Sequence, residues 1–105
     1  MDVKYTLTVH PRVDEDLHEA FLWYVKKSQR TAARLITSYQ AALDRIEDNP
    51  LQFAKLKSIY RHCRIIYFPY HIIFALEDRL ILVMAVTHEA RDPVNVLRTL
   101  REREN

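Results

Sequence analysis

Hydrophobic and polar positions along this chain change period several times, and each change marks a predicted element. Tyr5, Leu7 and Val9, together with Val3, alternate with Lys4, Thr6 and Thr8. Period two with one polar face predicts a half-buried strand over residues 3–9. The period then lengthens. Val13, Leu17, Phe21 and Val25 fall four apart, with Ala20 and Tyr24 beside them. That stripe predicts an amphipathic helix, with Pro11 at a first-turn position that tolerates proline. Asp14, Glu15 and Asp16 suit its positive end, and Lys26 and Lys27 its negative end.

Ser28 to Arg30 form a short polar break, after which Thr31 is a candidate cap for a second helix. Leu35, Tyr39, Leu43 and Ile46 make its apolar stripe, and Asn49-Pro50 ends it, because a residue before proline resists the helical conformation. Two helices so closely joined predict an antiparallel hairpin. A loop through about Tyr60 follows. Three short runs rich in Ile, Val, Tyr and Phe then predict strands at Cys63 to Phe68, Tyr70 to Leu76 and Leu80 to Val86. The last is apolar on both faces and reads as an interior strand. Asp92-Pro93 opens a final helix, with Val94, Leu97 and Leu100 expected inward and Arg98, Arg101 and Arg103 outward.

The predicted order is β-α-α-β-β-β-α. Helices first and strands after imply an α+β fold, an antiparallel-rich sheet with the N-terminal helical hairpin packed on one face. A length of 105 residues fits a single domain over 1–105. Residues 1–4 lack the layout of a signal peptide, and no apolar run is long enough to span a bilayer, so a soluble protein is expected. One cysteine, Cys63, forms no internal disulfide and fits a reducing cytoplasm. The chain contains no glycine, which excludes Gly-rich phosphate loops and obliges any turn at positive φ to use Asp, Asn or a strained residue.

The formal charge of +2 says less than its distribution. Between Asp48 and Glu77 no acid occurs, whereas Lys55, Lys57, Arg61 and Arg64 all fall there. A stretch of one sign suits a polyanionic partner, and equally suits a solvated surface balanced by distant acids.

Several phrases carry a resemblance. His10-Pro11-Arg12 followed by Asp14, Asp16 and Leu17, the aromatic pair Trp23-Tyr24, the stop at Asn49-Pro50, the sheet phrase from Arg64 to Phe74, and His88-Glu89-Ala90-Arg91-Asp92-Pro93 stand in the order found in one group of proteins. The chain thereby resembles the ParE/RelE toxin superfamily over essentially its whole length, most sharply at the H-x-x-R-D-P ending. It departs from the pattern in lacking glycine before the sheet, near Tyr60, and after the histidine, near Glu89.

The resemblance implies the toxin of a type II toxin–antitoxin pair, neutralised by a small cognate antitoxin in a hetero-oligomer, with no cofactor and no metal. ParE-like members poison DNA gyrase, and RelE-like members cut messenger RNA on the ribosome. Under the ribonuclease reading His88 serves as base or acid, and Arg64 and Arg61 hold the phosphate. Lys55, Lys57, Arg91 and Tyr70 are the candidate target-binding residues under either reading. Each also has a plainer assignment: His88 bonding a loop, Arg91 pairing with Asp92 or Glu89, Lys55 and Lys57 as solvated charges, Tyr70 as packing. His62-Cys63 suggests a metal pair only weakly, since neighbours on a strand face opposite ways.

Overall fold

The computed structural model describes residues 4–104, so the Val3 position of the first predicted strand lies outside the described residues. Strand β1 is Thr6–Val9, helix α1 Val13–Val25, helix α2 Gln29–Asp48, and a 3-10 turn spans Pro50–Gln52. Strands β2 (Lys55–Lys57), β3 (Tyr60–Arg64), β4 (Tyr70–Glu77) and β5 (Leu80–His88) follow, and helix α3 is Pro93–Arg103. The five strands form one sheet in the order β1-β5-β4-β3-β2, with β1 parallel to β5 and every other pair antiparallel. The α+β class and the helical hairpin are as predicted, and the order gains one strand.

Local chemistry explains the shifted boundaries. Pro11 lies in a turn before α1 rather than inside its first turn, and the Nδ1 of His10 accepts from the Arg12 N–H at 3.1 Å. Ser28, not Thr31, caps α2: its Oγ accepts from the Thr31 N–H at 3.2 Å. The predicted loop before Tyr60 contains β2, whose three residues are all exposed at the sheet edge. The run Cys63 to Phe68 is not one strand. It breaks after Arg64 into a turn in which the Phe68 N–H donates to the Ile65 carbonyl at 3.1 Å and Tyr67 takes φ 75°. Ser58 and Asp78 are the other described residues at positive φ, at 56° and 55°. A glycine-free chain therefore places a serine and a tyrosine, as well as the expected Asp, where left-handed backbone is needed.

Both faces of the sheet are covered. The hairpin buries Val13, Ala20, Leu35, Tyr39, Ala42 and Ile46 against Cys63, Ile72, Phe74, Ile81, Val83 and Val86. Helix α3 buries Val96 and Leu100 against Tyr60, Ile73, Ala75, Met84 and Ala85. The change of face within β5 comes from a bulge. Ile73 pairs with Ala85 but Phe74 with Val83, so Met84 is the extra residue and joins Ala85 on the α3 side. That one-residue offset puts Thr87 opposite His71, and His88 opposite Tyr70, at the end of the sheet.

Two expectations for α3 are overturned. Val94 is 62% exposed and Val96 takes the inward place. Arg103, expected in solvent, is buried. Its guanidinium makes paired bonds to Asp16 of α1, Nη1–Oδ2 at 2.6 Å and Nη2–Oδ1 at 2.8 Å, and Nη1 also donates to the Met84 carbonyl at 2.9 Å. Asp16 Oδ2 in turn accepts from the Val86 N–H at 3.0 Å. The cause is an uncovered strand. β1 stops at Val9, the His10 N–H makes the last bond to the Val83 carbonyl at 2.8 Å, and beyond it the edge of β5 has no neighbouring strand. The Asp16–Arg103 pair fills that gap with the backbone partners a strand would have supplied.

The end of α3 is tied down by a second contact, from the Tyr60 hydroxyl to the Glu104 carboxylate. Burial first, and then the acceptor and charge of Glu104, push the Tyr60 phenol well above its ordinary value of 10.0. A group whose folded-state value is raised holds its proton more tightly in the native state. Its stabilisation is complete below the unfolded value and is lost as pH rises through and beyond it. The melting temperature is therefore expected to fall above about pH 10. Tyr60→Phe should flatten that fall, leaving the smaller share owed to Tyr24, Tyr39 and Tyr70, whose values burial also raises. Thermal melts of both proteins across the alkaline range check this; equal slopes would contradict it.

Candidate functional site

Of the sequence-predicted residues, Arg64, Tyr70, His88 and Arg91 come to one end of the sheet, where β3 ends, β4 begins, β5 ends and α3 begins, whereas Lys55, Lys57 and Arg61 lie towards β2. Two clefts lie there, and Lys57, Tyr70, His88 and Arg91 are the predicted residues that line one or both. The first, of about 320 Å³, lies on the α3 side. Ile73, Val96 and Leu97 give it an apolar floor, and Lys57, His62, His71, Glu89 and Arg91 stand around it. The second, of about 390 Å³, lies between α1 and the sheet end and is lined by Glu19, Trp23 and Tyr70 among others. His88 and Arg91 border both.

His88 sits at the last position of β5, exposed, with Tyr70 edge-on to its ring at 5.1 Å between centroids. Its Nδ1 accepts from the Ala90 N–H at 3.0 Å, which fixes Nδ1 as the acceptor and leaves Nε2 to carry the proton in the neutral ring. The loop hydrogen bond that is the plainer assignment for His88 therefore exists, with the Ala90 N–H as its donor. Asp92 caps α3 instead, its Oδ1 accepting from the Val94 N–H at 2.8 Å. Arg91 pairs with neither Asp92 nor Glu89; its Nη2 donates to the Thr99 Oγ1 at 2.8 Å. Tyr70 also meets Tyr24 at 6.5 Å between centroids. Burial, then Tyr24 and Glu19, raise its phenol, so it remains a neutral donor at neutral pH.

The two arginines assigned to a phosphate do not act together. Residues 61 and 64 are three apart on β3 and so belong to opposite faces of the sheet. Arg61 Nη1 donates to the Phe53 carbonyl at 2.7 Å and holds down the segment before β2. Arg64 is exposed, with Nη1 3.6 Å from Glu89 Oε2. Lys55 and Lys57 extend into solvent from β2, and Lys57 alone of the two borders a cleft.

Sequence reasoning missed His71 and Glu89. His71 Nδ1 lies 3.3 Å from His62 Nδ1, and its Nε2 is 3.9 Å from Glu89 Oε2. Burial, and next the neighbouring His62, lower the His71 value below its ordinary 6.5, so the ring is neutral at neutral pH. No local motif signals this pair. It follows from the β3–β4 register, which sets His62 opposite Ile73, two residues from His71. His62 and Cys63 face opposite sides of the sheet, as neighbours on a strand should, with Cys63 buried on the hairpin side.

Two solved structures share this fold. The fold is similar to a chain of the chromosomal ParDE TA system from P. aeruginosa, with a TM-score of 0.70 at 13% identity over 81% of this chain and 96% of that one. It is also similar to a chain of the toxin–antitoxin complex RelBE2 from Mycobacterium tuberculosis, with a TM-score of 0.55 at 20% identity over 82% and 99%. The arrangement of one strand, a helical hairpin and the rest of a mixed five-stranded sheet is thus shared with chains of these two systems.

Sequence gives the family. The model for the ParE toxin of the type II toxin–antitoxin system parDE matches residues 7–93, and Toxin ParE2 of Mycobacterium tuberculosis is 34% identical over 88 residues, 83% of this chain and 84% of that relative. The chain belongs to the ParE toxin family of type II toxin–antitoxin systems. Among its described residues, no helix is long and apolar enough to cross a membrane.

Proposed function

We propose that this chain is a one-domain cytoplasmic toxin that poisons DNA gyrase and is neutralised by a cognate antitoxin in a hetero-oligomer. The observation that carries the choice of gyrase is membership of the ParE family over residues 7–93. The arrangement of the candidate catalytic residues supports it. Acid–base cleavage of RNA needs a base, an acid and phosphate-holding cations aimed at one point. Here Arg61 is bonded to Phe53, Arg64 faces Glu89 on the other side of the sheet, and His88 is bonded to Ala90. A toxin that acts by binding needs no such convergence. Lys57, Arg91 and Tyr70, at the rims of the two clefts, with Lys55 beside them on β2, then form the target-binding surface. The antitoxin partner is supported by the fold likeness to chains from the ParDE and RelBE2 systems.

A second reading keeps one observation in its favour: Lys57, Arg64 and Arg91 place three cations near the α3-side cleft. Cells distinguish the two. Inducing this chain alone should stop thymidine incorporation while amino-acid incorporation continues, and co-expression of the antitoxin should restore growth. Immediate loss of amino-acid incorporation, with thymidine uptake continuing, would establish the ribonuclease reading instead.

A further inference from the structure

His62 and His71 have no task in a toxin that binds gyrase. β3 and β4 hold them as diagonal neighbours on the α3 face, at the wall of the 320 Å³ cleft. Their rings are 5.3 Å apart between centroids and tilted by 45°, and the two Nδ1 atoms are separated by 3.3 Å. Two nitrogens bound to one tetrahedral zinc at about 2.0–2.1 Å each lie roughly 3.3–3.4 Å apart. The strand register has therefore set the two imidazoles at the bite of a chelate.

We propose that His62 and His71 chelate a divalent cation of the zinc, nickel and copper class through their Nδ1 atoms, with water from the cleft completing the coordination. Imidazole nitrogen suits these ions and not magnesium or calcium. Among the described residues, neither Nδ1 has another hydrogen-bond partner. Glu89 stands on the far side of His71, its Oε2 3.9 Å from Nε2, the other ring nitrogen, a short side-chain movement from hydrogen-bond distance. A carboxylate there orients a ligating histidine and raises its basicity. Three cations lie nearby and oppose a metal ion. Two are engaged, Arg64 facing Glu89 at 3.6 Å and Arg91 bonded to Thr99 at 2.8 Å, and Lys57 extends from the exposed edge strand. Among the described residues no group of three His, Cys, Asp or Glu is placed to hold a metal, so this is a two-ligand site with open positions facing the cleft. The competing explanation is a single hydrogen bond from one ring N–H to the other ring nitrogen. In that case one lone pair points at the other nitrogen; in the chelate both converge on a third point.

Calorimetric titration of the intact chain with zinc chloride separates the two, and does so independently of the gyrase assignment. One ion per chain is expected to bind. His62→Gln and His71→Gln should each weaken binding by at least about tenfold. His18→Gln, on the exposed face of α1, should leave binding unchanged. His62 is only half-buried, so His62→Gln carries the test if His71→Gln fails to fold. Zinc should also shift the imidazole Nδ1 resonances of both residues. No binding at stoichiometric zinc, binding that survives both substitutions, or unmoved Nδ1 resonances would each overturn the proposal.

Discussion

Asp16→Ala is expected to destabilise the protein by about 3–5 kcal/mol, because it leaves the Arg103 guanidinium buried without its counter-charge. The Arg103 side chain is 6% exposed and that of Asp16 16%, so solvent replaces the lost carboxylate poorly. Three elements feel the change together. The carboxylate of α1 ties α3 through Arg103 and accepts from the Val86 N–H of β5. Removing it also strands that backbone donor at the uncovered edge of β5. For a chain of this size the melting temperature should drop by roughly 10–30 °C. The double change Asp16→Leu with Arg103→Met should recover much of the loss, since a buried ion pair replaced by apolar side chains is often neutral or stabilising. A melting temperature for Asp16→Ala within a few degrees of the parent would show that the pair is not structural.

Phe74→Ala is the other large effect. Phe74 is fully buried in β4, where it joins the hairpin-side core, and its ring meets Phe53 edge-on at 6.1 Å between centroids. Truncation removes the transfer energy of the ring and leaves a cavity that flanking strands cannot close, at a cost of about 3–5 kcal/mol. Because Phe53 also lies in the segment that Arg61 holds through its carbonyl, the region before β2 should loosen as well. Denaturant unfolding measures the loss, and hydrogen exchange of the β2 and β3 amides reports the loosening. Trp23→Ala gives the contrast. Trp23 is 50% exposed on α1 with the Lys27 ammonium 3.7 Å from its ring centroid, so its loss should change stability little.

The sequence makes the elements legible where one side of each meets water. The α1 and α2 stripes are plain because their outer faces are charged, and the α+β class follows from them and from three apolar runs. It is least informative where tertiary contacts reverse a local preference. Arg103 reads as solvent-facing because arginines on a polar helix face usually are; only the short β1 creates the place it fills. Val94 and Val96 exchange roles for a similar reason, since the angle at which α3 crosses the sheet has no local signature. β2 is hidden because Lys55-Leu56-Lys57 is short and exposed at an edge. The bulge at Met84 is equally silent in the sequence, yet it decides which face Thr87 and His88 present.

The candidate site divides the same way. His88, Arg91 and Tyr70 do come to one end of the sheet, as an ending at His88 to Pro93 implies. Arg61 does not join them, because it lies opposite Phe74, well in from the end of the sheet where Tyr70 pairs with His88, and its guanidinium is bonded to the Phe53 carbonyl. The His62–His71 pair needs the register of a hairpin whose turn runs through buried Ile65 and Phe68 and a left-handed Tyr67. No periodicity argument supplies that register.

Gyrase supercoiling in the presence of the purified chain decides whether gyrase is the target. With toxin in molar excess over gyrase, relaxed plasmid should remain relaxed or accumulate as cleaved complex, and prior addition of the antitoxin should restore supercoiling. Arg64→Ala should inhibit as the parent does, since that arginine has a role only in the ribonuclease reading. Full supercoiling at toxin excess, together with cleavage of messenger RNA in translating ribosomes, would mean that gyrase is not the target.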